Sequence, residues 1–149
     1  MIKMTGKSAG ISTLMLAGVV GILASCATMS PMMGGQKITL DGASEVPAVM
    51  TSATGNATVD IKADRSVTVL VTVSGMTATA SHIHEGAAGT NGPVIVPFVK
   101  TGDNTFAAAE GAKLTEAQYE SYKAGKLYVN VHSAKNPGGE IRGQLKGNY

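Results

Sequence analysis

From residue 37 onward, apolar side chains recur at every second position. Ala57, Val59 and Ile61 alternate with Thr58, Asp60 and Lys62, and Val67, Val69, Val71 and Val73 alternate with Ser66, Thr68, Leu70 and Thr72. A period of two belongs to a strand with one face in a core and the other turned away from it. Shorter runs of the same kind occupy 37–40, 80–84, 94–99, 105–109, 127–132 and 140–145, with Gly- and Pro-bearing breaks at 42–47 and 86–93. Short strands at this density predict an all-β Greek-key sandwich or barrel. One segment departs from the period. Thr115 and Gln118 have the spacing of a capping box, Glu116 and Lys123 suit the two ends of a helix dipole, and Gly125 is placed as a stop. Together they predict one short helix near residues 115–124.

The same alternation assigns faces to the three histidines of the chain. His82 and His84 share one face of their strand, and Ile83 takes the other. In the run 127–132, Leu127, Val129 and Val131 form the apolar face, so His132 lies opposite them with Tyr128 and Asn130. All three imidazoles therefore point away from the core. If the two strands are neighbours, they make a set of nitrogen donors for a transition metal, since imidazole suits copper, zinc, nickel and iron. The alternative is three polar groups on a solvated face, with His132 hydrogen-bonded to the Gly-rich loop. Glu85 follows the pair and reads as a turn residue or an outer hydrogen-bond acceptor rather than a ligand. Tyr128 and Asn130 are placed to orient an imidazole, but the pattern favours ordinary outward polar residues. No nucleophile elbow and no phosphate-binding glycine motif accompanies them.

The first 25 residues do not belong to the strand pattern. Lys3 and Lys7 precede the mostly apolar stretch 11–24, and Leu23-Ala24-Ser25 leads into Cys26, the only cysteine. This order describes an export signal. Leu-Ala-Ser-Cys also resembles the lipobox of bacterial lipoproteins. That resemblance implies cleavage before Cys26, diacylglycerol on its sulfur and an acyl chain such as palmitate on the new amino terminus. Ala27, where an Asp would retain such a protein at the inner membrane, implies passage to the outer membrane. Residues 26–36 read as a lipidated tether, and Met29, Met32 and Met33 within it as parts of a spacer. Loss of the leader removes two lysines, so 12 Lys+Arg fall to 10, level with the 10 Asp+Glu. A near-neutral chain without Trp or a basic run gives no reason to expect a nucleic-acid partner. The expected partners are the membrane, through Cys26, and an envelope protein.

Four stretches together resemble the chordin-type (CHRD) domain: Leu40 to Pro47, Ala80 to Gly86 with Gly92-Pro93-Val94, Tyr128 to His132, and Asn136 to Leu145. The closing Asn-Pro-Gly-Gly-Glu-Ile-Arg-Gly-Gln is the most specific of them. The resemblance implies an all-β domain over residues 37–149 in a secreted or envelope protein. A more distant likeness is to the copper site of Cu,Zn superoxide dismutase, in which a His-x-His pair and a His ending a later Val-rich strand hold the metal. Carried residue by residue, it implies copper ligation by His82, His84 and His132. It also sets Arg142, on a loose alignment, near the place of an anion-guiding arginine. The bridging imidazolate, the zinc-site histidines and the intramolecular disulfide of the dismutase are absent here.

Three function classes follow: a lipid-anchored envelope protein that holds copper without turnover, a structural or protein-binding module with no metal, and a superoxide-disproportionating enzyme. The first is favoured over the second. The third requires redox cycling at a site lacking the dismutase's second metal.

Overall fold

The computed structural model describes residues 34–147. The segment read as an export signal, Cys26 and most of the segment read as a tether lie outside them. The elements in chain order are β1 (Gln36–Asp41), β2 (Thr54–Ile61), β3 (Val67–Ser74), β4 (Ala78–Glu85), β5 (Val94–Gly102), β6 (Thr105–Ala108), α1 (Glu116–Lys123), β7 (Leu127–Ser133) and β8 (Ile141–Gln144). Each strand overlaps a run that the alternation marks out, with ends that coincide or differ by up to three residues; β4 and β5 extend past their runs, and β6 and β8 stop within theirs.

The strands close into an antiparallel barrel in the order β1-β2-β3-β6-β5-β4-β7-β8. Three hairpin-connected strands, β4, β5 and β6, are flanked by β7, which returns through α1 to lie beside β4; this is a Greek key. Closure pairs Asp41 of β1 with Arg142 of β8 and leaves no open sheet edge. Inward positions are those of the alternating apolar sets: Leu40, Val59, Val71, Ile83, Val129 and Ile141 are all buried. Leu70, the apolar residue at an outward position of β3, stands 40% exposed, as its place in the pattern requires.

Helix α1 starts as the capping box predicts. The Gln118 N–H donates to the Thr115 hydroxyl, and the Thr115 N–H donates to the Gln118 side chain. It stops at Gly125, whose φ of 69° is a left-handed conformation that glycine adopts without strain.

The outer face of β4, β7 and β8 is not solvated. The connection 42–53 leaves one end of the barrel, and the connection 86–93 comes from the other. They meet over this face, where the Asn91 side-chain amide donates to the Val46 carbonyl at 2.7 Å. The segment 134–140 closes a third side, so β7 is buried at nearly every position on both faces.

Candidate metal centre

β4 and β7 are neighbours in antiparallel register, with Ala80 opposite His132, His82 opposite Asn130, and His84 opposite Tyr128. Two irregularities flank the site. The β4–β7 register shifts at Ala78/Ala80, beside His132, and the β4–β5 register shifts at Ile83/His84. Bulges of this kind increase local twist and re-aim side chains, and they recur beside functional sites. The three imidazoles converge: ring centroids lie 4.9 Å apart for His82 and His132, 5.6 Å for His82 and His84, and 6.1 Å for His84 and His132. One ring nitrogen from each lies within 4.8 Å of the other two.

Hydrogen bonds to backbone carbonyls fix two of the tautomers, because a carbonyl can only accept. His84 Nδ1–H donates to Gly92 O at 2.9 Å, and His132 Nδ1–H donates to Pro137 O at 2.9 Å. The lone pairs of these two rings are therefore at Nε2. His132 Nε2 accepts a hydrogen bond from His82 Nδ1–H at 3.0 Å. His84 Nε2 is buried and has no hydrogen-bond partner in the protein. Two nitrogens bound about 2.0–2.1 Å from one ion stand roughly 2.8–3.4 Å apart for right-angled to tetrahedral geometry. The His82–His132 spacing already lies in that range, and the third nitrogen, within 4.8 Å of both, has to move closer to join them.

All three rings are held neutral. Burial, reinforced by repulsion from His132 and His84, lowers the His82 pKa from 6.5 to about 4. Burial also holds His84 and His132 below the ordinary value, against the raising effect of the Gly92 and Pro137 carbonyls, and Arg142 adds to the lowering at His84. Neutral imidazole is the form that binds a metal, so no ring has to lose a net charge at neutral pH; the proton on His82 Nδ1 has only to move to the other ring nitrogen for Nδ1 to serve as a ligand.

The neighbours differ from their expected surroundings. Tyr128 and Asn130, read from the pattern as ordinary outward groups, are each only 2% exposed, because the three connections cover them. The Tyr128 ring stacks on His84 at 4.9 Å and 9°, and its hydroxyl accepts from the Gly92 N–H at 3.2 Å. Asn130 Nδ2–H donates to Glu45 Oε1 at 2.6 Å, while its Oδ1 is buried without a partner. Arg142 is 1% exposed, with its guanidinium 3.4 Å over the Tyr128 ring and bonded to Ala87 O, Asn91 and Gln144. It packs against the Tyr128 ring and, with Glu45, Val46 and Ala88, lines a surface cavity. Glu85 turns away from the imidazoles and accepts from Ser121 Oγ, fastening α1 to the barrel. The Gly-rich loop holds His84, not His132; the partner of His132 is in the 134–140 segment.

Sequence reasoning gave no role to Glu45. Its carboxyl is 7% exposed, and burial pushes its pKa from 4.5 up to about 7 against the lowering pull of Arg142 and the Val46 N–H. A usable signal was present: an acidic residue inside a long Gly- and Pro-bearing connection, where functional side chains concentrate.

A closed Greek-key barrel carries three converging, neutral imidazoles on a loop-covered outer face, a donor set that could hold a metal ion. The chain belongs to the CHRD domain family, whose sequence profile matches residues 37–145. No curated protein and no solved structure matches it.

Proposed function

We propose that this chain is a lipid-anchored bacterial envelope protein whose CHRD domain binds a copper ion through His82, His84 and His132, and stores or delivers it rather than turning over a substrate. The observation that carries this reading is His84 Nε2, a buried lone pair with no donor, on a ring whose other nitrogen is committed to Gly92 O. An unsatisfied buried acceptor costs about 1–3 kcal/mol, and a cation at that point removes the cost. Copper is favoured because it tops the affinity order of divalent first-row metals for nitrogen sites, and because exported compartments present it more readily than the cytosol does. The backbone carbonyl partners of His84 and His132 orient the rings as metal-binding imidazoles are usually oriented. With three histidines in the whole chain, none remains to bridge to a second metal, which favours holding over dismutation.

Copper titration of the purified protein tests the reading. Wild type is expected to bind one equivalent, with at least a hundredfold loss of affinity in His84→Gln and in His132→Gln. Binding that is indifferent to both substitutions overturns it. The anchor is tested separately: Cys26→Ser is expected to move the protein from the membrane fraction to the soluble fraction. Unchanged partitioning removes the lipid from the proposal.

A further inference from the structure

The backbone positions of His84 and His132 are far apart along the β4–β7 pair, yet their rings are close. His84 pairs with Tyr128, four residues from His132, which is about 13 Å of strand. Ring centroids only 6.1 Å apart require both side chains to lean toward the pair between them, His82 and Asn130. Asn130 is thus the floor of the cluster, flanked by His82 across the ladder and by His132 two positions along. Its orientation is set from behind, since Nδ2 is bound to Glu45 Oε1 at 2.6 Å. Nδ2 is the end that faces Glu45, so Oδ1 is the end turned away from it. That oxygen is buried and has no partner in the protein. The covered face therefore holds two orphaned acceptors, an imidazole nitrogen suited to a metal and an amide oxygen suited to a hydrogen-bond donor.

We infer that Asn130 is a positioning residue for the open coordination position of the site: its Oδ1 accepts a hydrogen bond from the water carried there by the bound ion. This rests on the metal reading above. Amide oxygen is a poor direct ligand for copper, whereas three nitrogens leave a position that water commonly fills. The consequence is selectivity. Exogenous ligands that bring an O–H or N–H to that position keep the bond to Asn130, and aprotic anions such as azide lose it.

The experiment compares wild type, Asn130→Leu and Glu45→Gln, each as the full chain loaded with copper(II) and then titrated with azide. Asn130→Leu preserves volume and removes the acceptor. It is expected to lower copper affinity about tenfold, in line with the loss of an outer partner. It is also expected to bind azide several-fold more tightly than wild type, because the displaced water has lost its acceptor. Glu45→Gln keeps an oxygen for Asn130 Nδ2 and is expected to leave azide affinity unchanged. Loss of copper affinity with no change in azide affinity means that Asn130 is only structural, and overturns the inference. If Asn130→Leu does not fold, as judged by the melting of its metal-free form, Asn130→Val, a better strand former, provides the same two readings. Failure of wild type to bind copper through its histidines defeats the underlying reading instead, so the two failures are distinguishable.

Discussion

Glu45 and the three imidazoles impose opposite pH dependences on the metal-free protein. The folded-state pKa of Glu45 is raised from 4.5 to about 7, so the folded protein binds the extra proton in that interval. Its contribution to stability is present in full below pH 4.5 and is lost as pH rises through 7. His82 is shifted the other way, from 6.5 down to about 4, so the unfolded chain binds the extra proton. That contribution is present above pH 6.5 and is lost as pH falls through 4. Between about 4.5 and 6.5 the two slopes oppose each other, and wild type is expected to show a shallow dependence there. Glu45→Gln removes one slope. Its melting temperature relative to wild type should climb from pH 4.5 to about 7 and level off above that, because only wild type must ionise a buried carboxyl. A difference between the two that stays constant with pH would contradict a raised Glu45. His82→Gln should produce the mirror image, improving relative to wild type as pH falls from 6.5 to 4.

At the scale of elements, alternation was enough to place the strands, and the capping box enough to place α1, because both are local and repeat within a few residues. It also put the three imidazoles on one side of the barrel wall. It could not show that β7 is buried on both faces. Tyr128 and Asn130 occupy outward positions, and a period of two equates outward with wet. What covers them is contributed by connections distant in sequence, whose length was visible but whose path was not; long connections of this kind are commonly functional. Gly92 shows how tightly one of them is laid down. A Cβ there would stand 1.6 Å from Glu85 O, so no side chain fits without moving the loop that presents its carbonyl to His84. Gly92→Ala is expected to cost about 1–3 kcal/mol in urea unfolding. Releasing His84 should also lower copper affinity about tenfold to a hundredfold. Wild-type values for both quantities would show that the loop holds its ring without the close approach.

The whole molecule joins a barrel wall to three connections that cover the site. His84 is tied to the 86–93 loop, His132 to the 134–140 segment, and Asn130 through Glu45 to the 42–53 connection. These side chains come from two adjacent strands, so an ion held between the rings links all three covers to β4 and β7 at once. A ligand that binds only the folded state stabilises it by mass action, about 2.7 kcal/mol at a free concentration one hundred times Kd. For a domain of this size, 1 kcal/mol moves the melting temperature by about 4 °C. One hundred times Kd of copper is therefore expected to raise it by about 10 °C in wild type and by almost nothing in His84→Gln. The gain should also appear in hydrogen exchange, as slower exchange of the Gly92, Gly139 and Glu45 amides in the three connections, while the β2–β3 hairpin on the far wall slows only in step with global stability. Equal slowing across the barrel would mean that the ion stabilises the fold without fastening its covers. The connections would then be a lid over β7 that exists independently of the metal.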